Sequence, residues 1–458
     1  MSNTSHHTRK APAPADGAYR IGVGAGFAGD RMQPADDLAR DGSLNAMAFE
    51  CLAERTIGVA QQARRDGTGQ GFDSRILRRF AGTLPHLLPS GAVVTTNAGA
   101  ADPVAAAIAT KEVVESLGLS GTVAAVVGDD VLDRLDFASA RIMGTDDTLW
   151  DIRDRVVSAN AYIGAEPLIH ALDQGADIVI AGRCSDAALF VAPLAHHFGW
   201  RLDDLEATGN ASLVGHLLEC AGQLTGGYFA DARRKQVKDA WNIGFPMADV
   251  VANGSATYTK LPSTGGLIDR RTVLEQLLYE IDDPTAYKTP DVTLDFSQVG
   301  ITELDRNRVR VSGARPAGRP ESLKVSVGVR DGFLAVAEIA YSGDDCLERA
   351  EIATHIVRDR WERVYGRDPG ELAASYVGVD ATRPWWTGAH RQPSEVRLRM
   401  SIRTFERSAA TALCEEVESL YTNGPFGGGG VTSSIKETIG IVSTFIDREA
   451  VATKAVLL

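Results

Sequence analysis

The sequence predicts an α/β fold: an open, mostly parallel sheet with flanking helices, plus a C-terminal α+β lobe with an antiparallel sheet. Apolar runs without alternation are typical of strands covered on both faces, and helical segments between such strands favour parallel pairing. Period-two alternation is typical of an antiparallel sheet with one face in water. The unalternating runs begin at Ile21, Val93, Val123 and Ile178. The alternating runs cover residues 308–312, 323–327 and 334–338.

The elements of the first lobe, residues 19–284, follow in chain order. Its first strand begins at Tyr19 or Arg20. Apolar spacing predicts helical segments over 36–64, 74–88, 103–118, 129–135 and 167–174. Within the first of these, a short extended piece near 44–49 is an alternative. Pro89 ends the second helix, and Pro103 suits the first turn of the third. The buried strands lie between these helices.

The pattern changes beyond Leu189, and a second, α+β lobe is predicted over 285–458, packed on the first. Between the two regular regions we expect helices over 213–223 and 272–281 and an extended segment over 250–260. In the second lobe we expect helices over 346–365 and 408–420 and strands over 395–403 and 440–446. Residues 1–18, polar with an Ala-Pro repeat, are predicted to be a disordered tail.

Composition narrows the class of protein. Of the 458 residues, 44% are hydrophobic and 23% charged, and the formal net charge is -13. This is ordinary for a globular protein, and the negative charge argues against a nucleic acid or a membrane as partner. Five dispersed cysteines without a Cys-x-x-Cys pair fit reduced thiols. Without an apolar run of membrane-spanning length or a signal-peptide core, a cytoplasmic protein is expected.

Ligands of open parallel sheets bind beyond the carboxyl ends of the strands, so the polar clusters there are candidate site residues. After the first strand, Gly24, Gly26 and Gly29 satisfy a Gly-x-Gly-x-x-Gly pattern. A dinucleotide turn would also need an acidic residue about twenty residues on, and Glu50 is only a loose candidate. The alternative is a tight strand-to-helix turn. In both interpretations the glycines Gly24 and Gly26 permit close approach of a ligand to the backbone. Asp30, at the end of this loop, is a catalytic candidate.

The next two strands end in amide and carboxylate groups. Asn97 and Gly99 are ligand-binding candidates, whereas Asp102 is better interpreted as the cap of the helix that follows. Paired carboxylates at a strand end suit a hard cation, so Asp130 is a ligand candidate, although an N-cap is the simpler interpretation of Asp129 and Asp130. No cofactor is predicted, but a divalent cation at Asp30, Asp129 or Asp130 is left open.

The densest cluster follows the strand at Ile178. Arg183 offers a planar fork for a carboxylate or phosphate, and Asp186 could orient it or act as a base. An equally weighted alternative is an Arg–Asp pair that ties the strand end to its neighbour. Glu219, later on a predicted helix, is a second candidate acid or base. Further ligand-binding candidates lie in glycine-rich turns with hydroxyl or amide neighbours, a plausible oxyanion or phosphate nest: Thr225, Gly226, Lys260, Thr264, Gly265 and Asn423.

A series of ordered motifs resembles the acyclic terpene utilisation family named for AtuA, from about residue 20 to the C-terminus. The motifs are GAGFAGDR (24–31), TNAG (96–99), SANAYIG (158–164), GRCSD (182–186), LLEC (217–220) with TGG (225–227), KLPSTGG (260–266), EQLLYE (275–280) with Tyr287 and TPDV (289–292), and NGP (423–425). The third motif adds Asn160 to the ligand-binding candidates. The resemblance implies a context of terpene breakdown through branched acyl-CoA thioesters, and it carries over no settled reaction.

These observations lead to the expectation of an enzyme that acts on a small branched acyl compound, as an acyl-CoA thioester, by lyase or hydratase chemistry. Asp186 or Glu219 would be the general acid or base, Arg183 would hold an anionic group, and the glycine turns would stabilise an enolate oxygen. The alternatives are a non-catalytic acyl-CoA or metabolite-binding subunit and a tailoring enzyme acting on a free or carrier-bound acid. The partner is thus a small acyl molecule, with a homo-oligomer left open.

Overall fold

The computed structural model describes residues 11, 14, 17–231, 233–382 and 393–458. Apart from residues 11, 14, 17 and 18, the tail predicted over 1–18 lies outside them. The helices are α1 (Gln33–Asp41), α2 (Glu54–Arg65), α3 (Arg75–Leu87), α4 (Pro103–Ser116), α5 (Glu166–Asp173), α6 (Ala188–Phe198), α7 (Leu205–Leu218), α8 (Arg270–Leu277), α9 (Cys346–Arg363) and α10 (Arg407–Asn423). The strands are β1 (Tyr19–Ala25), β2 (Ala46–Phe49), β3 (Val93–Thr96), β4 (Val123–Val127), β5 (Val156–Ala161), β6 (Ile178–Ala181), β7 (Pro246–Val250), β8 (Ala256–Lys260), β9 (Tyr287–Lys288), β10 (Thr293–Asp295), β11 (Gly300–Asp305), β12 (Arg308–Ser312), β13 (Arg315–Pro316), β14 (Ser322–Ser342), β15 (Ala373–Val377), β16 (Glu395–Thr404), β17 (Gly429–Asp447) and β18 (Lys454–Leu457).

Ten strands of the described chain form one mixed sheet in the order β11-β12-β8-β7-β1-β2-β3-β6-β4-β18. The middle strands, from β1 to β4, run parallel, and the strands on both sides pair antiparallel. Nearly every residue of the middle strands is buried, which explains why their apolar runs lack alternation. With its flanking helices, this sheet confirms the predicted fold class.

Two groups of helices flank the sheet: α1, α3 and α4 pack together, and so do α5, α6 and α7. The sheet and its helices are joined by individual hydrogen bonds and aromatic contacts as well as by apolar packing. The Thr95 hydroxyl of β3 donates to the Leu189 carbonyl of α6 at 2.7 Å. Phe49 of β2 meets Phe80 of α3 edge to face, with ring centroids 5.6 Å apart. The strand ends are therefore held in fixed positions by the layers on which they pack.

Several elements differ from the prediction. Within residues 36–64 the alternative, an extended piece near 44–49, is confirmed, because the four buried residues of β2 form a central strand that separates α1 from α2. The helix predicted over 129–135 is only a 3-10 turn over Leu132–Arg134. Strand β5 and helix α6 were not predicted; β5 pairs with β14, and α6 is apolar on all sides because most of it is buried.

The chain divides into two units, one of residues up to Gly328 together with Ile441–Leu458 and one of Val329–Gly440. The boundary expected near 285 thus falls inside the first unit, because β11 and β12 extend the large sheet through β8. In the second unit, β14, β15 and β16 pair antiparallel, and α9 and α10 pack on β16. This unit has its own apolar core around the fully buried Trp361.

Candidate active site

A cavity of about 740 Å³ lies at the carboxyl ends of three parallel strands in the first unit. Gly26, Phe27 and Asp30 reach it after β1, residues 50 and 52–54 after β2, and Arg183 and Asp186 after β6. Glu219 and Cys220, at the C-terminal end of α7, complete one wall. The position is the one expected for a ligand site of an open parallel sheet.

The lining of this cavity is strongly acidic. Against the single guanidinium of Arg183 it carries six carboxyl groups, those of Asp30, Glu50, Glu54, Asp186, Glu219 and Glu280. So many carboxylates cannot all stay charged in a partly closed space, because burial and like charges both favour the protonated form. The site is therefore built to hold protons as well as charge.

Glu50 is the clearest proton holder. Its side chain is buried, and its Oε1 accepts hydrogen bonds from the Leu52 amide at 2.7 Å and from Asn97 Nδ2 at 3.0 Å. Burial, followed by the nearby charge of Asp186, raises the pKa of Glu50 to about 8, although Arg183 and Asn97 oppose the rise. At neutral pH Glu50 is thus a carboxylic acid with a proton to give.

Arg183 is buried and tied to the backbone around it. Its guanidinium donates to the carbonyls of Leu52 and Cys184 and to Asp186 Oδ1. Its plane lies over the Tyr162 ring, with 4.5 Å between the guanidinium carbon and the ring centroid. The pairing with Asp186 is the alternative left open from the sequence, but both groups also line the cavity. A ligand therefore meets a fixed ion pair, not a mobile guanidinium.

Glu219 forms a dyad with the buried His216 one turn earlier. His216 Nε2 lies 3.1 Å from the Leu277 carbonyl, which can only accept, so this nitrogen carries a proton. His216 Nδ1 lies 3.0 Å from Glu219 Oε1. Burial raises the pKa of Glu219 to about 7 while the bond to His216 opposes it. The carboxyl group and the imidazole therefore titrate as a coupled pair, in which the first proton added to the ionised Glu219 is shared between Glu219 and His216.

Glu54, on another wall of the cavity, is ionised, in contrast to Glu50. Its Oε1 accepts from the Tyr162 hydroxyl and from Lys324 Nζ, both at 2.7 Å. Burial would raise its pKa, but these two hydrogen bonds outweigh burial and lower the pKa. Glu54 therefore fixes Tyr162, which in turn supports the guanidinium of Arg183.

Gly26 allows the β1 loop to reach this wall. A Cβ atom at Gly26 would lie 2.5 Å from the backbone carbonyl carbon of Cys220, and one at Gly24 would lie 2.1 Å from the Phe49 ring. The Gly26 amide donates to Asp30 Oδ2 at 3.0 Å. An amide of the glycine loop is thus already bonded to a carboxylate, where a dinucleotide turn would present it to a pyrophosphate.

Of the residues predicted from the sequence, Gly26, Asp30, Arg183, Asp186 and Glu219 come together in the cavity. Others lie behind it. Asn97 is buried and positions Glu50, and its Oδ1 accepts from the Cys51 amide at 2.7 Å. Gly24 packs on Phe49 as described, and Gly99 lies against the Ala181 carbonyl and Pro103. These three residues shape the strand ends and do not line the cavity.

Asn160 and Asp130 belong to a separate polar cluster. Asn160 Nδ2 donates to Asp129 Oδ2 at 2.9 Å, and the same oxygen accepts from the Arg183 amide at 2.9 Å. Gln61 Nε2 donates to Asp130 at 3.2 Å. Across the described ranges, no three His, Cys, Asp or Glu side chains are grouped so that they could hold a metal ion. The cluster instead anchors the backbone that precedes the Arg183 side chain.

The glycine-rich turns do not have the amides expected of an oxyanion site. The Gly226 and Gly265 amides donate to the carbonyls of Gln223 and Asn242, at 2.9 and 2.8 Å. Thr225 Oγ1 donates to the carbonyls of Gly222 and Gly244. These groups therefore stabilise their own loops, and neither Thr225 nor Gly226 lines the cavity, although Gly227 does.

Lys260 and Thr264 do not line the cavity either, and Asn423 belongs to the second unit. Lys260 Nζ donates to the Thr264 carbonyl at 2.6 Å, and burial lowers the pKa of Lys260 to about 8. Asn423 ends α10 in the second unit, where its Nδ2 donates to the Ser419 carbonyl at 3.1 Å. Their hydrogen bonds give these residues a local structural role.

Several side chains that line the cavity were not predicted as site residues, among them Glu54, Tyr162, Tyr279 and Glu280. Glu50 was considered only as a partner for a dinucleotide, and His216 was not among the predicted site residues. The signal available for Glu50 was its place directly after β2, which the helical spacing around it concealed. Tyr279 and Glu280 stand in the EQLLYE motif, but the motif does not mark them as site residues, since they follow α8 and reach the cavity only through the fold.

The fold and the cavity define an α/β protein with an acidic ligand site at the carboxyl ends of its parallel strands. A family model described as "Acyclic terpene utilisation family protein AtuA" matches residues 19–457, so the chain belongs to this family, as its ordered motifs predicted. Membership suggests a role in acyclic terpene utilisation and is consistent with an enzyme. Comparisons with curated proteins and with solved structures gave no significant match. Among the described helices, none is long and apolar enough to cross a membrane.

Proposed function

We propose that the chain is an enzyme that adds or removes water at a small branched acyl compound, carried as a thioester, by acid/base catalysis. The observation that carries this proposal is the pair of proton holders in one cavity. Glu50 has a pKa of about 8 and Glu219 a pKa of about 7, each raised first by burial. Two carboxyl groups in one cavity, each able to hold a proton near neutral pH, are suited to the acid and base roles of one reaction.

In the direction of water loss, the roles follow from the hydrogen bonds. Glu219 takes the proton from the carbon next to the acyl carbonyl, and His216 shares the added proton through its 3.0 Å contact. Glu50 gives its proton to the hydroxyl group on the neighbouring carbon. That carbon–oxygen bond breaks, water leaves, and the electron pair of the broken carbon–hydrogen bond forms the double bond. Both protons are thereby accounted for within the site.

Arg183 and Asp186 supply fixed charge and do not transfer protons in this scheme. The guanidinium would stabilise negative charge on an acyl oxygen that lies beside it, and its backbone hydrogen bonds mean that little reorganisation is needed during the reaction. The apolar and aromatic part of the lining, with Phe27, Leu52 and Tyr279, suits a branched hydrocarbon chain. Membership of the acyclic terpene utilisation family supports a substrate with a branched hydrocarbon chain.

The test is turnover of branched 3-hydroxyacyl and 2-enoyl thioesters by the wild type and by Glu50→Gln and Glu219→Gln. Each variant keeps the size of the side chain and removes its proton transfer, so each should lower kcat by about 100-fold or more. Glu115→Gln, on an exposed face of α4, is the matched control and should leave kcat unchanged.

A wild type that binds these thioesters without turnover would contradict the proposal and favour the non-catalytic binding subunit. Turnover of free acids alone would favour the tailoring enzyme. Activity that survives in both glutamine variants would remove the acid and base roles from Glu50 and Glu219 even if the reaction is as proposed.

A further inference from the structure

A second cavity, of about 630 Å³, adjoins the first within the same unit. Tyr162, Asp186 and Glu280 line both cavities, so the two spaces meet at these side chains. The remaining walls come from residues 185, 287–290, 293, 317–320, 322–324 and 445. A volume of this size is typical of a site for a small ligand or a large part of one.

The charge of the second cavity is opposite to that of the first. Lys288, Arg319 and Lys324 all line it, and its carboxyl groups are the two at the boundary. Arg448 adds a fourth positive charge behind the wall, where its guanidinium donates to the carbonyls of Pro290 and Pro320. These contacts fix the two loops that carry Lys288 and Arg319.

The positive charges are only partly neutralised by the protein. Lys324 pairs with Glu54 at 2.7 Å, whereas Arg319 has a longer contact, 3.4 Å, with the exposed Glu166. Lys288 is exposed and forms no ion pair with any residue in the described ranges. Lys288 and Arg319 are therefore available to an anionic group that enters from solvent.

We propose that the second cavity binds the phosphate end of phosphopantetheine, the arm on which acyl thioesters are carried, while the acyl end lies in the acidic cavity. Phosphate is repelled by the carboxylates of the first cavity and attracted by the cations of the second, so the charges give the ligand one orientation. The identity of the acyl end rests on the proposed function, whereas the phosphate site rests on Lys288 and Arg319. The arm occurs in coenzyme A and on acyl carrier proteins.

The test is calorimetric binding of three probes: pantetheine, pantetheine 4′-phosphate and coenzyme A. Each is measured with the full chain, with Lys288→Ala/Arg319→Ala and with Lys111→Ala. Lys111 is an exposed lysine on α4 and controls for the loss of a positive charge. Melting curves verify that all three proteins are folded. The phosphorylated probes should bind the wild type about tenfold or more tightly than pantetheine, since hydrogen bonds to charged groups contribute at that level.

The double variant should lose that tenfold advantage and keep the affinity for pantetheine, while Lys111→Ala should bind as the wild type does. Higher salt should weaken binding of the phosphorylated probes to the wild type. Coenzyme A that binds more tightly than pantetheine 4′-phosphate identifies coenzyme A as the source, and equal affinities identify the carrier-protein arm. Either order supports the phosphate site.

Equal binding of all three probes, no binding of any probe, or wild-type affinity in the double variant would each overturn the proposal. The outcome is separable from that for the proposed function, because probe binding requires no turnover. Charge-dependent binding without turnover of any acyl thioester leaves the phosphate site standing and removes the reaction. If turnover of acyl thioesters is the same in the double variant as in the wild type, the reaction stands and the phosphate site is removed.

Discussion

Glu50, at the scale of single residues, connects the chemistry of the cavity with the stability of the fold. Its pKa is about 8 in the folded protein because of burial and the charge of Asp186, against an ordinary value of 4.5. Between these pH values the folded chain holds a proton that the unfolded chain releases. The free energy of unfolding should therefore fall as the pH rises through this window.

Glu50→Gln removes this dependence, since the amide keeps the acceptor for Asn97 and does not titrate. We expect the variant to match the wild type near pH 5 and to exceed its stability at pH 9, by on the order of a few kcal/mol. Urea unfolding across this pH range measures the difference, with the exposed Glu115→Gln as control. Parallel pH curves for the variant and the wild type would show that Glu50 ionises normally in the folded state.

At the scale of secondary-structure elements, the site depends on the close approach of the loop after β1 to the C-terminal end of α7. A Cβ at Gly26 would lie 2.5 Å from the Cys220 backbone, and backbone at such a distance must shift. Gly26→Ala should therefore lower the free energy of unfolding by about 1–3 kcal/mol. It should also move Glu219 relative to the strand ends, and so raise KM as well as lower kcat.

The matched control for this prediction is Gly300→Ala in β11. A Cβ there would have its nearest neighbour, the Ser312 carbonyl oxygen, at 3.8 Å. Chemical unfolding and steady-state kinetics of the two variants separate a local clash from a general effect of replacing glycine. Similar small effects in both variants would show that the loop can retreat from α7 without loss.

How far the sequence predicts this site also depends on its elements. Asp30, Arg183 and Asp186 could be found because each follows an apolar run that is unmistakably a strand. Glu50 follows a strand of only four residues, β2, whose signal is overlaid by the helical spacing on both sides. Short buried strands are set by their neighbours in the sheet more than by their own pattern.

The hydrogen bonds of the glycine turns are hidden from the sequence for a related reason. Whether an amide is free depends on which carbonyl the fold brings to it. The Gly265 amide is bonded to the Asn242 carbonyl, 23 positions earlier in the chain. His216 is equally hidden from the sequence, because α7 is buried on nearly all sides and has no polar face on which a functional histidine would stand out.

At the scale of the whole molecule, the two units differ in continuity along the chain. Val329–Gly440 is one uninterrupted segment with an apolar core of its own. The first unit needs Ile441–Leu458 as well, since β18 pairs with β4 as the last strand of the large sheet. Thr444 Oγ1 also donates to the Arg141 carbonyl at 2.7 Å, and Arg448 joins the two loops of the second cavity.

We therefore expect a fragment of residues 19–328 to melt at a lower temperature than the first unit of the intact chain and to lose affinity for coenzyme A. Without β18, the backbone groups of β4 are unpaired at the edge of the sheet, and the loops at Pro290 and Pro320 lose the guanidinium that joins them. Adding a peptide of residues 441–458 should restore part of both properties, because these contacts need no covalent link. Circular dichroism melting and calorimetry with coenzyme A measure the two effects, and a scrambled peptide is the control. A fragment that is as stable as the first unit of the intact chain would mean that the large sheet does not need its last strand for stability.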